Sequence, residues 1–454
     1  MTKLFGTDGI RGEAGVFPLD PQTVETIGAS LTTHLRHKLG RSPVIVIGRD
    51  TRESGAWIET ALLAGIIRAG AQPKSAGIIT TPGVAFLTRT MPGDSGVVIS
   101  ASHNAYQDNG LKVFTPSGRK LDEETERLIE QDVFAKAGKA ELSNPVVPTS
   151  TALADESASL QSEYLSFLAS QIGSGLSLDG LRLVVDCANG AASSLATQLF
   201  ERLGASVTSI NHTPDGKNIN LNSGSLHMEG LQQAVIQQKA DLGVAFDGDA
   251  DRSLFVDAQG RLVNGDVTLW VLGKYMKAKG QLDHDIVVAT VMSNIGLEIA
   301  LKSQGISLVR TDVGDKYVLD ELLTSGAKLG GEQSGHIIFP DLSLAGDGMI
   351  TTICLLRAIC EGGKPLHELS EGYQQFPQIL VNVRVKSKKP FLEIKEIRDA
   401  ARRIETQLGS SGRLLLRYSG TEPLARVMIE GEDQDQIEIQ ANELSDVIKK
   451  TLGK

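Results

Sequence analysis

The segment Asp241-Leu242-Gly243-Val244-Ala245-Phe246-Asp247-Gly248-Asp249-Ala250-Asp251-Arg252 is an apolar run that ends abruptly in alternating carboxylates. A short apolar run of this kind reads as a buried strand, and a polar loop at the carboxyl end of such a strand is where α/β proteins collect ligands. The same shape occurs twice more: Ser95–Ser100 runs into Ala101-Ser102-His103-Asn104, and Ala327–Gly331 runs into Glu332-Gln333-Ser334-Gly335-His336. Upstream of each lies a matching series of strand, small-residue turn, helix, second strand and second helix. The first strands fall at Val44–Gly48, Leu181–Cys187 and Asp285–Val291, followed by turns at Arg49–Gly55, Ala188–Ala192 and Met292–Gly296. Each series spells successive βαβ crossovers, so three equivalent loops are expected to converge on one cleft.

At 454 residues the chain exceeds a single hydrophobic core, which stops growing at roughly 250–300 residues. Clusters of Pro, Ser and polar residues at Ala140–Ser157 and Gly362–Gln378 mark breaks. The tail beyond Phe376 changes pattern, with strands at Ile379–Val385, Arg413–Arg417 and Ala425–Glu430 and helices near Phe391–Leu408 and Gln434–Leu452. The expected fold class is α/β: three related mixed α/β domains at residues 1–150, 151–256 and 257–370, then a smaller α+β phosphate-binding domain at 371–454.

A net charge of −10 without any long Lys/Arg cluster argues against a general nucleic-acid partner. No stretch approaches the roughly 20 apolar residues that cross a bilayer, and the first residues carry no apolar leader, so a cytoplasmic protein with no membrane partner is expected. Cys187, Cys354 and Cys360 lack any CxxC spacing and read as buried free thiols in a reducing compartment.

Asp247, Asp249 and Asp251 alternate with the small Gly248 and Ala250, so on a locally extended backbone their carboxylates point one way and call for a cation. Hard oxygen donors favour Mg²⁺ or Ca²⁺. An EF-hand is excluded by Arg252 and Ala258 at the positions that loop reserves for Gly and Glu. Ser102 in isolation is an ordinary turn serine, but facing three aspartates it can be a phosphoryl carrier whose phosphate completes the metal's oxygen shell. The loop Arg417-Tyr418-Ser419-Gly420-Thr421, with Arg426 on the next strand, suits a phosphate monoester. Glu332, Ser334 and His336 offer a charged acceptor, a hydroxyl and a titratable ring, a set that fits sugar hydroxyls or an amine. Neither Walker A nor GxGxxG occurs, and Gly93-Asp94-Ser95-Gly96 has no His/Asp context for a serine protease. The Asn/Ser-rich segment Asn218–His227 reads as a loop without an assignable role.

Six stretches in order carry a resemblance: Phe5-Gly6-Thr7-Asp8-Gly9-Ile10-Arg11-Gly12, Gly48-Arg49-Asp50-Thr51-Arg52, the Ser102 loop, the aspartate loop, Gly331–His336 and the Arg417 loop. Over essentially its whole length the chain is similar to the α-D-phosphohexomutase superfamily. The resemblance implies four domains around one cleft, a phosphoserine at Ser102, and one Mg²⁺ held by its phosphate with Asp247, Asp249 and Asp251. It implies that Arg11, Lys112 and Arg252 lie at the phosphoserine, Lys112 as a proton carrier, with His336 also among the catalytic groups. Glu332 and Ser334 would bind the sugar, and Arg417, Ser419, Gly420, Thr421 and Arg426 the distal phosphate.

Glu332-Gln333-Ser334 together with Gly420 looks like members acting on glucosamine phosphates. The implied reaction interconverts glucosamine 6-phosphate and glucosamine 1-phosphate through glucosamine 1,6-bisphosphate. Glucose or mannose phosphates are the alternative substrates, and a non-catalytic sugar-phosphate sensor or a serine-dependent phosphatase the alternatives of other classes. The expected partner is a small sugar phosphate, with a homodimer as the open option for assembly. Departures from the superfamily pattern are Ala105 for Pro, Ala250 for Gly and Tyr418 for Pro, and no histidine stands at Gly314-Asp315-Lys316.

Overall fold

The three sequence repeats fold with one wiring in the computed structural model, which describes residues 3–6, 8–136, 150–419 and 422–453. In the first sheet the central strand Val44–Arg49 pairs in parallel with Gln72–Ile78 on one side and Ser95–Ile99 on the other. In the second, Arg182–Asp186 sits between Ser206–Ile210 and Leu242–Phe246, again in parallel. In the third, Ile286–Thr290 lies between Ser307–Thr311 and Gly330–Gly331. Helices fill the crossovers, as parallel neighbours require.

Each third strand then meets an antiparallel return strand: Asp108–Phe114, Ser253–Asp257 and Ile337–Ile338. The sequence shows this strand only in the first repeat, as Leu111–Phe114. The return strand doubles the chemistry available at each loop, because side chains from both sides of the reversal reach one place. Its register sets Lys112 opposite Val98. The N-terminal strand Gly9–Glu13 adds to the same edge with Arg11 opposite Gly110, so Arg11 and Lys112 sit on adjacent strands. In the third repeat the expected strand Ala327–Gly331 shrinks to Gly330–Gly331, since glycines bring no side chain to pack.

Helix ends follow their local chemistry. Asp20 caps Pro21–Leu39, accepting from the Thr23 amide, and Gly40 closes it at φ 67. Asp347 caps Gly348–Gly362 through the Met349 and Ile350 amides. The expected break at Ala140–Ser157 is different from a polar linker where it is described: Ser150–Phe167 is a helix, and residues 137–149 lie outside the described residues. Leu160, Tyr164, Leu165 and Leu168 are buried in one core with Ala76, Ile79 and Phe86 of the first repeat and Leu183 and Val185 of the second. Helical spacing of those apolar residues overrides the Ser-rich start.

The last unit is an antiparallel sheet in which Leu424–Glu430 lies between Gln378–Arg384 and Arg413–Tyr418. Helices Lys395–Leu408 and Gln434–Leu452 cover it, and Val383, Val427, Ile429, Ile397, Ile404, Ile437 and Leu444 form a separate core. Of the cysteines, Cys187 is buried, but Cys360 is exposed near the end of its amphipathic helix, which corrects the reading of all three as buried. Among the described residues no helix is long and apolar enough to cross a membrane.

Candidate active site

Ser102 sits at the first strand end with a left-handed backbone, φ 53, and is 1% exposed. Its amide donates to Ser100 Oγ at 2.9 Å, and that hydroxyl donates to Asp50 Oδ2 at 2.7 Å. Arg52, with no exposed side-chain surface, pairs with Asp50 at 2.9 Å and donates to the carbonyls of Ser102 at 3.0 Å and Asn104 at 2.9 Å, and also to that of Ala105. From the second repeat, Asn220 Nδ2 donates to the same Ser102 and Asn104 carbonyls at 2.9 and 3.0 Å. The asparagine-rich segment thus has a role: it braces the serine loop across the domain boundary.

Arg52→Met leaves Asp50 buried with no cation and frees the loop carbonyls. We expect about 3–5 kcal/mol loss of stability in chemical denaturation, with turnover falling in the fraction that folds. Wild-type stability in that variant would refute the brace.

The aspartate loop is not extended. Ala250 takes φ 56 and its amide closes a turn on the Asp247 carbonyl at 3.0 Å. The tight turn, rather than alternation along a strand, is what gathers the carboxylates, one oxygen from each lying within 4.8 Å of the others. Gly248 is required here, because a Cβ would come within 2.5 Å of the Ser102 carbonyl oxygen. Ser102 Oγ donates to Asp247 Oδ2 at 2.6 Å. Thr81, which nothing in the sequence singles out, donates its hydroxyl to Asp249 Oδ2 at 2.5 Å.

Lys112, 2% exposed, reaches Asp249 at 2.8 Å, Asp251 at 3.1 Å and Asp8 at 3.3 Å. Burial and the neighbouring Asp251 and Asp249 charges push the Asp247 carboxyl well above its ordinary range. Burial also opposes charge on Asp251, but Lys112 and His336 outweigh it and hold this carboxyl well below. The Oδ1 atoms of Asp249 and Asp251 are buried without a hydrogen-bond partner. Orphaned hard oxygens beside a raised carboxyl are what a site built for a divalent cation such as Mg²⁺ presents.

The third loop brings a carboxylate, a hydroxyl and an imidazole to the same place. His336 Nδ1 lies 3.8 Å from Asp251 Oδ1, and although burial lowers its pKa, the adjacent Asp251 carboxylate raises it to about 9. Glu332 Oε1 accepts from the Gly314 amide at 3.2 Å, and Ser334 Oγ lies 3.4 Å from Glu332 Oε2. Gln333 turns the other way, its amide donating to the buried Asp266 at 3.0 Å, so it does not face the cleft. Arg252 Nη1 stands 3.1 Å from His103 Nδ1, and burial with the Arg252 and Arg11 charges lowers that ring to about 4. A cleft of about 640 Å³ is lined by Arg11, His103, Asp251, Arg252, Glu332 and His336 among others.

The phosphate-type loop of the last domain forms a distinct cluster. Arg417 and Arg426 face one another across the hairpin, and Ser419 is buried. Arg417 is lowered by burial and then by Arg426, a like-charge pair that an anion would relieve. Arg417 touches Met292 at 3.8 Å, at the end of a third-repeat strand, and among the described residues none of this cluster contacts Ser102 or the aspartates. Gly420 and Thr421 lie outside the described residues.

Family models described as phosphoglucomutase/phosphomannomutase match in four pieces: alpha/beta/alpha domain I at residues 2–139, domain II at 162–260, domain III at 264–376 and the C-terminal domain at 380–447. A phosphoglucosamine mutase of Solibacter usitatus (strain Ellin6076) is 50% identical over 450 residues, 99% of each chain. One from Koribacter versatilis (strain Ellin345) is 46% identical over 456 residues, covering 100% of this chain and 98% of the other. In fold, the chain is similar to a phosphoglucomutase/phosphomannomutase family protein of Burkholderia thailandensis, with TM-score 0.78 at 22% identity over 99% of this chain and 97% of that one. It is also similar to the Aspergillus fumigatus N-acetylphosphoglucosamine mutase solved with GlcNAc-6P and magnesium, with TM-score 0.65 at 18% identity over 98% and 95%. With all four domain models matched in order and full-length relatives at half identity, the chain belongs to the phosphoglucomutase/phosphomannomutase family, on the branch shared with phosphoglucosamine mutases.

Proposed function

We propose that the chain interconverts glucosamine 6-phosphate and glucosamine 1-phosphate, with Ser102 as the phosphoryl carrier. The observation that carries this is the 2.6 Å contact of Ser102 Oγ with Asp247, inside a buried carboxylate cluster that also holds Lys112. The names of the full-length relatives support the substrate, and the sugar phosphate and magnesium bound by the Aspergillus enzyme support its class and the metal.

In the first half-reaction the free sugar hydroxyl attacks the phosphorus of phosphoserine. An O–P bond forms to the sugar as the Ser102 Oγ–P bond breaks, giving glucosamine 1,6-bisphosphate. The hydroxyl's proton passes into the cluster of Lys112, Asp251 and His336, and the departing Ser102 oxygen is neutralised from the same cluster. The bisphosphate then turns end for end, and its other phosphoryl group returns to Ser102 by the reverse step.

Asp247, Asp249 and Asp251, with the Ser102 phosphate, would hold Mg²⁺, which supplies charge neutralisation on the transferring group when bound. Arg11 and Arg252 orient the phosphoryl oxygens. Glu332 and Ser334 bind the sugar, the carboxylate suiting an ammonium as well as hydroxyls. Arg417, Ser419 and Arg426, with Gly420 and Thr421, hold the phosphate that is not reacting. A single sugar that bridges that cluster and Ser102 draws the last domain toward the cleft. The functional units of this reading are residues 1–150, 151–256, 257–370 and 371–454.

Initial rates with glucosamine, glucose and mannose 6-phosphates test the substrate. The expected kcat/KM favours glucosamine by about 10- to 100-fold, the scale on which near-isosteric groups are discriminated. Equal or greater values for glucose or mannose phosphates would move the assignment to those sugars. Release of inorganic phosphate without isomerisation would replace the mutase by a phosphatase.

A further inference from the structure

We propose that Lys120 is a positioning residue that ties the first domain's catalytic edge to the third domain's sugar loop, an inference that rests on the functional reading above. Lys120 Nζ lies 2.8 Å from Asp8 Oδ1 and 2.7 Å from Asp315 Oδ2. Asp8 is itself paired with Arg11 and stands 3.3 Å from Lys112, so one arm of Lys120 backs the groups at the phosphoserine. The other arm holds the first residue of the helix Asp315–Ser325. The residue before it, Gly314, donates its amide to Glu332 Oε1, and Asp315 lies 4.0 Å from His336 Nε2. One ammonium therefore spans two domains and touches the supports of both halves of the site.

Two outer ion pairs flank it, Lys316 with Glu123 and Arg119 with Asp320, each at 2.8 Å. These are exposed and contribute little. Lys120 is different, since its side chain is half-buried and sits between two carboxylates that repel without it. Apolar packing does not fix this spacing. A cavity of about 450 Å³, lined by Lys112, Asp251 and His336 as well as Lys120, separates Phe114 and Leu121 of the first domain from Leu319 and Ile338 of the third. Across this gap Lys120 holds helix Asp315–Ser325 to the first domain, with the two exposed pairs outside it.

Lys120→Met keeps the stem and removes the charge. Steady-state kinetics on the full chain are expected to show KM for glucosamine 6-phosphate raised about tenfold, with kcat falling less than KM rises. Adding Asp315→Asn should make matters no worse, because the clasp is already open and one unpaired carboxylate is gone. Hydrogen exchange over residues 314–318 should quicken at least tenfold in Lys120→Met whether or not the sample turns over. Should Lys120→Met not fold, Lys120→Arg carries both measurements, with a smaller rise in KM of about threefold from the altered spacing and a matching quickening of exchange.

KM and exchange both within twofold of wild type would overturn the proposal. So would a loss confined to kcat, which marks a group in the chemistry itself. A wild-type chain without mutase turnover would overturn the functional reading instead, and the exchange result would still decide the clasp.

Discussion

Ser102→Ala is expected to lower turnover by a factor on the order of 10⁴ or more while leaving the fold in place. The substitution removes one oxygen and nothing else that holds the loop. The Ser102 amide keeps its bond to Ser100, and its carbonyl keeps Arg52 and Asn220. Alanine carries the same Cβ into the φ 53 backbone, so the local conformational cost is unchanged. The lost hydroxyl leaves Asp247 one donor short, so stability should change by no more than about 1–2 kcal/mol. Turnover has no such reserve, because Thr81 Oγ1, another hydroxyl at the cluster, is committed to Asp249. Intact mass gives an independent readout: phosphorylated wild type should be heavier by about 80 Da, and the variant should lack that form. Wild-type turnover in Ser102→Ala would remove the carrier assignment altogether.

Much of this site could be read from the chain because it is local. Ser102, Asp247 and Glu332 each follow an apolar strand directly, and one repeat period brings the three loops to equivalent places. What could not be read is what depends on docking. Arg52 finds the Ser102 carbonyl 50 residues on, Thr81 finds Asp249 at a separation of 168, and Asn220 reaches back 118 residues. Single-chain spacing contains none of these distances. Lys120 is illegible for the same reason, as one of two lysines near a Ser-Gly turn until Asp315 arrives from the third domain.

The turn at Ala250 misled differently. Alternating residues mimic a strand, and only the closure of the Ala250 amide on Asp247 distinguishes a hairpin turn from an extended run. Gln333 shows the limit of reading a motif by its letters, since the residue between Glu332 and Ser334 faces Asp266 and away from the cleft. A preference for glucosamine must then be argued from Glu332 and Ser334, with Gln333 acting at most on how the loop is held.

Lys112→Met separates the two roles that Lys112 combines. As a proton carrier its loss should cost about 10²–10⁴ in kcat. As a buried cation its loss should also destabilise the protein, because Asp249, Asp251 and Asp8 then face one another with their nearest counter-charge gone. Burial alone would lower the pKa of Lys112, yet the three aspartates raise it well above the ordinary lysine value, so at neutral pH its whole contribution is present. Removing one partner of such a cluster costs about 3–5 kcal/mol.

The pH dependence has a definite sign. Lys112 is the charge that most lowers Asp251, so without it this buried carboxyl takes up a proton more readily than in wild type, and the variant should lose stability relative to wild type as pH rises from 5 to 8. A divalent cation should act in the opposite sense. Bound only by the folded chain, MgCl₂ should raise the melting temperature of both proteins, and more in the variant, where no ammonium competes for the aspartate oxygens. Chemical denaturation in chelator, in MgCl₂ and at the two ends of that pH range measures all three effects without any reference to turnover. A Lys112→Met protein as stable as wild type in chelator would mean that the carboxylates hold themselves apart or share protons. The ammonium would then be left with the catalytic role alone.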